Sequence, residues 1–187
     1  AGFGYSNDPT ITLTTPFLMS ATEVSYAQYA ELAQWAYDNG LCTTDGRYIY
    51  DAIGSSARRL LDMGFDSPLY FDNGEFLGGN GQPVTYVNWY GAAAFCSWMS
   101  IRDGFAAAYD HETWTCNGGD PYGASGYRLP TAAEWEYGCR AGTETLFHTG
   151  DCLDAETEAN YDGSRPLNRC PIGPTRGYSI GGRSFPP

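Results

Sequence analysis

The side chains best suited to ionic chemistry crowd into one stretch. Asp151, Asp154, Glu156, Glu158, Asn160 and Asp162 fall within twelve residues, and such a density of carboxylates is costly unless water or a hard cation screens it. The six cysteines, Cys42, Cys96, Cys116, Cys139, Cys152 and Cys170, contain no C-x-x-C pair, which argues against a zinc site and leaves many pairings open. Cys152 and Cys170, both in loop sequence, are the expected disulfide, closing a loop worth about 3 kcal/mol in the chain-entropy account. Cys96 and Cys139 fall in expected helices and read as small buried hydrophobes. The two histidines, His111 and His148, stand in separate loops with no companion at ligand spacing, so each reads as a surface polar residue rather than a base. Glu134 and Glu136, two apart on a helix, point in different directions and cannot work as an acid–base pair. No nucleophile elbow, phosphate-binding loop, dinucleotide fingerprint or zinc-protease motif occurs.

Few regular elements are available to position these groups. Thr131 with Glu134 forms a capping box after Pro130, so an extended Tyr127-Arg128-Leu129 turns into a short core helix that Gly142 terminates. Ser25 with Gln28 is a second capping box and starts a helix to about Asp38, its core side carrying Tyr26, Tyr29, Leu32, Ala33, Ala36 and Tyr37. A third helix is expected from about Trp89 to Arg102, after a short strand at 83–88, with Ala92, Phe95, Cys96 and Met99 at helical spacing. Residues 10–19 read as a strand that Pro16 interrupts. Between 41 and 82, Asp45-Gly46 and Asn73-Gly74 mark turns, and residues 55–63 are the one helical candidate there. The Asp72-Asn73-Gly74-Glu75 turn lacks the full ligand pattern of a calcium loop and reads as solvated. Residues 105–125 form an excursion loop.

Composition narrows the partners. The chain has 187 residues, 42% of them hydrophobic and 16% aromatic, with 24 Gly and 11 Pro, so large rings and many turns replace long aliphatic layers. No linker or repeat divides it, which fits one domain over 1–187. A net charge of −12, from 22 acidic and 10 basic side chains, repels phosphate backbones and anionic lipid heads. Nucleic acid is excluded on that ground, whereas a cation or a basic protein surface is compatible. No apolar run is long enough to span a bilayer, which argues against membrane insertion. The even number of cysteines suits an oxidising compartment, extracellular or at the cell surface.

Four ordered passages carry a resemblance: TEVSYAQYAEL at 22–32, PVTYVNWYGAAAFCSWMS at 83–100, GYRLPTAAEWEYGCRAG at 126–142, and EANYDG at 158–163 followed by GGRSFPP at 181–187. Together they resemble the formylglycine-generating enzyme family, also called sulfatase-modifying factors. The resemblance implies an irregular α+β fold of the formylglycine-generating, C-type-lectin-like kind, with short helices, little sheet and long loops. It also implies structural calcium at positions matching Asn160, Tyr161, Arg176 and Tyr178, although the family carries an acid where this chain has Arg176. Family enzymes oxidise a substrate cysteine to formylglycine with copper held between two cysteines near the domain's C-terminal end. None of the six cysteines matches that pair, so copper is not supported by this chain, and the domain is expected to be incomplete at its C-terminal end.

The leading expectation is a secreted or surface-exposed, non-catalytic member of the family that acts in binding or assembly on a protein or glycan partner, self-assembly included. The alternatives are a copper-dependent oxidase whose catalytic end lies outside this sequence, and a glycan-binding lectin-like module.

Overall fold

The computed structural model describes residues 11–64, 67–79, 81–167, 169–182 and 184–185. Thr10 of the expected first strand and Arg183, Pro186 and Pro187 of the closing segment lie outside them. Two helices, α1 (Tyr26–Asp38) and α2 (Trp89–Arg102), pack face to face over a small antiparallel sheet of β1 (Cys42–Thr44), β2 (Tyr48–Asp51) and β3 (Arg59–Asp62). The strand order is β1-β2-β3. A hairpin of β4 (Tyr70–Asp72) and β5 (Glu75–Leu77) lies against α1, and a third helix, α3 (Ala132–Arg140), follows the excursion loop. This is an irregular α+β architecture.

Local chemistry accounts for the helix ends. At α1, Gln28 N donates to Ser25 Oγ at 3.2 Å and Ser25 N donates to Gln28 Oε1 at 2.9 Å. At α3, Thr131 and Glu134 exchange the same two bonds at 3.3 and 2.8 Å, satisfying amides that would otherwise be orphaned. Asn88 caps α2 through Gly91 N. Tyr29 stacks on Phe95 with ring centroids 5.3 Å apart and meets Trp98 edge-on, while Tyr37, Phe71 and Phe76 close the gap between α1 and the β4–β5 hairpin. Asn73 and Gly74 turn that hairpin with φ of 50° and 89°, the left-handed pair that matches strand twist.

Several expectations are corrected. Residues 55–63 form no helix: Leu60 and Leu61 are buried in β3, where pairing with β2 outweighs the serine and glycine that flank them. Residues 11–19 make no strand and run extended beside α3, with Phe17 edge-on to Tyr137; Pro16 has no amide to give a ladder. Residues 83–88 contribute isolated bridges, Ser25 with Pro83 and Leu61 with Val87, in place of a strand. The helix α3 is no core helix, because Glu134 is its one buried residue and Trp135 and Tyr137 are 59% and 67% exposed. Gly142 is left-handed as expected, with φ of 85°, and follows a cap, Ala141, that is itself left-handed at 49°. Trp89, at the start of α2, is half exposed and meets Tyr109 edge-on.

Candidate functional site

The acidic stretch is folded onto itself. Asp154 Oδ1 accepts from the amides of Glu156 and Thr157, opening a turn, and Glu158 Oε2 accepts from Asp154 N at 2.8 Å and the Thr149 hydroxyl at 3.0 Å. Asp162 Oδ1 accepts from the hydroxyls of Ser164 and Thr175, each at 2.6 Å. Those bonds, Ser164's first, hold its carboxyl below the usual range. A disulfide joins Cys152 to Cys170. The carboxylates of Asp154, Glu158 and Asp162 are thus engaged by backbone amides and hydroxyls.

The four residues expected to hold calcium sit at the seam between this stretch and residues 173–178. Asn160 Nδ2 donates to the carbonyl of Tyr178 at 2.9 Å. The Tyr161 carbonyl, the oxygen the resemblance points to, accepts from Gly163 N at 2.9 Å, and the Tyr161 hydroxyl donates to the carbonyl of Leu153 at 2.7 Å. Arg176 donates from both terminal nitrogens, to the carbonyl of Ala155 and, at 3.0 Å, to that of Glu156. Calcium favours six to eight oxygen ligands, carboxylates prominent among them. The set here has neutral oxygens and a guanidinium at its edge, and it does not fit a divalent cation.

The thiols are dispersed by function as well as by sequence. Cys42 and Cys96 are buried, and burial pushes both up to about 12, with Asp51 adding to the effect at Cys42 and Cys116 at Cys96. Burial also raises Cys116, which is partly exposed, and Cys139 is an exposed free thiol on α3. Soft copper(I) is bound by thiolates, and burial raises the cost of ionising Cys42, Cys96 and Cys116. Cys139, expected to be buried, is not.

His111 is the residue that sequence placed wrongly. Its ring is buried, with Nδ1 2.7 Å from Asp51 Oδ1 and both side chains at most 2% exposed. The ring leans on Trp114, 4.6 Å between centroids, while Asp51 Oδ2 accepts from Gly54 N. The orienting acid comes from β2, sixty residues away, so no local signal could reveal it. Among the described residues Nε2 is sealed from solvent without a hydrogen-bond partner, and the pair fastens the excursion loop to the sheet. His148 lies partly exposed in the turn closed by Phe147 and Gly150.

An accessible apolar feature lies on α3, where Trp135 and Tyr137 are exposed. Trp135, Cys139, Pro130 and Leu146 line a groove edged by Glu136 and Arg140, which pair with each other at 2.9 Å. Beneath it, Glu134 is locked to Arg128 through two bonds of 2.7 Å. The Arg128 hydrogen bonds hold the Glu134 carboxyl down to about 2, so the groove stands on a rigid ion pair.

Comparison with known proteins accords with this architecture. Residues 6–168 match the family described as sulfatase-modifying factor enzyme 1-like domain. A chaperone protein LppX from Paenibacillus barcinonensis is 36% identical over 89 residues, 40% of this chain and 31% of that protein. Formylglycine-generating enzymes from Bos taurus and Mus musculus are 28% identical over 113 residues and 35% over 72, covering 52% and 38% of this chain but 23% and 12% of theirs. The chain thus spans less than a third of the length of each of these relatives. No solved structure matches it.

Proposed function

Because the chain belongs to the sulfatase-modifying factor family, with residues 6–168 matching its domain, we propose that it uses the family scaffold to bind a polypeptide rather than to oxidise one. The observation that carries this reading is the state of its thiols. Two are consumed in a disulfide, Cys42 and Cys96 are buried with their ionisation pushed to about 12, burial also raises the partly exposed Cys116 beside Cys96, and the exposed Cys139 stands apart on α3. A copper-dependent oxidase needs paired thiolates, which burial makes costly at Cys42, Cys96 and Cys116. Exposed Trp135 and Tyr137 offer binding surface instead, since Trp and Tyr are enriched among the few residues that dominate binding energy at protein interfaces. The net charge of −12 favours a basic partner. The relative named as a chaperone supports a role in assembly. The disulfide suits an extracellular or cell-surface setting, and no helix among the described residues is long and apolar enough to cross a membrane.

Two measurements decide between binding and oxidation. Incubated with copper(I), oxygen and a cysteine peptide from a sulfatase, the protein is expected to yield no formylglycine; aldehyde detected by mass spectrometry would overturn the reading. Binding of a basic client polypeptide is expected to weaken about tenfold when Trp135 and Tyr137 are both changed to Ala, the loss of one anchoring contact or two. Unchanged affinity would remove α3 from the interface. The rival, a copper oxidase completed by further polypeptide, draws support from the relatives named as formylglycine-generating enzymes.

A further inference from the structure

We propose that Arg176 is the resident cation of the 150–178 loop, occupying with its guanidinium the role that a bound calcium ion would otherwise serve. The turn over 154–159 gathers carbonyls, with the amides of Glu158 and Ala159 both closing on Asp154 O. The next two carbonyls, of Ala155 and Glu156, receive the two terminal nitrogens of Arg176. A planar guanidinium presents paired donors at fixed spacing and keeps its charge at any physiological pH. The guanidinium also lies over the Phe185 ring, 5.3 Å from its centroid.

The anchor point is chosen by packing. Ala155 is 1% exposed, and a Cβ added at Gly163 or Gly173 would fall 2.7 or 3.0 Å from its methyl group. Gly173 N donates to Gly163 O at 2.8 Å, so the two glycine backbones close over Ala155 from either side. Arg176 then ties the outer segment to the turn beneath it. Asn160 to Tyr178 and Thr175 to Asp162 repeat the tie on neighbouring residues. A divalent ion added to this seam would meet a fixed positive charge, and Asp162 Oδ1 is already engaged by the Ser164 and Thr175 hydroxyls.

Limited proteolysis of the folded chain within 150–178, in calcium or in EDTA, tests the assignment. The wild type is expected to be cut at one rate in both. Arg176→Gln, which keeps length and loses charge, is expected to be cut on the order of tenfold faster in both, as two charge-assisted bonds are lost. Arg176→Asp is expected to be fast in EDTA and slowed by calcium, the carboxylate restoring a ligand for the metal. Protection of the wild type by calcium, an Arg176→Gln variant as resistant as the wild type, or an Arg176→Asp variant indifferent to calcium would each overturn the proposal. The wild-type comparison stands even if a variant fails to fold.

Discussion

Glu134 shows how much one side chain can be asked to do. It is 1% exposed, caps α3 through Thr131 N, and takes two bonds from Arg128. Removing one partner of such a pair leaves the other charge buried, which typically costs 3–5 kcal/mol where burial is complete. Arg128 keeps some solvent contact, so Glu134→Gln is expected to lower stability at neutral pH by about 3 kcal/mol, read from urea unfolding. The carboxyl is held at about 2 against an ordinary 4.5, chiefly by the Arg128 hydrogen bonds. Its contribution is therefore complete above about pH 4.5 and is lost as pH falls toward 2. The wild-type urea midpoint is expected to fall across that window more steeply than the midpoint of Glu134→Gln. Parallel slopes would assign the acid sensitivity to other groups.

At the scale of elements, α2 sits close against the backbone of β3. A Cβ at Gly91 would stand 2.2 Å from Leu60 O and 2.8 Å from Val87 Cγ2, so the first turn of α2 rests directly on sheet backbone. Gly91→Ala gains helix propensity of about 1 kcal/mol but forces the helix off the sheet, an overpacking cost of about 1–3 kcal/mol or more. Backbone on one side cannot yield as a side chain would, so net destabilisation of about 2 kcal/mol is expected, with the urea midpoint lowered and the slope unchanged. The capping boxes made α1 and α3 legible in sequence, because their signals lie within four residues. The Arg-Leu-Leu-Asp run of β3 was not legible. Its flanks read as helix ends, and its strand state depends on β2 and on Val87, contacts that no local window contains. The same holds for the site. Cys152 and Cys170 were legible as a pair from their loop sequence, whereas Asn160 and Arg176 were singled out as ligands only by the family resemblance. Asp51 and His111 meet across sixty residues, and the exposure of Trp135 depends on what α3 fails to touch.

The whole molecule is held together in two different ways along its length. Apart from Glu134, Ala155 and Gly163, every buried residue among those described precedes Thr115. The first part is stabilised by apolar burial, with Trp98, Tyr26, Tyr29 and Leu60 at 2% exposure or less. The second is stabilised by cross-links: one disulfide, the Arg176 staple, the Asp162 hydroxyl network and the Arg128–Glu134 pair. Such a division predicts two tiers of opening, because hydrogen exchange reports local unfolding where few apolar contacts resist it. Reducing Cys152–Cys170 removes a constraint of about 3 kcal/mol from the loop it closes, and little of the α1–α2 packing depends on that loop. Amides between 151 and 178 are expected to exchange faster after reduction, while those of α1, α2 and β2 keep their protection. If reduction instead deprotected Tyr29, Trp98 and Ile49 together with the loop, the two parts would be one cooperative unit, and a core confined to the first part would not account for its stability.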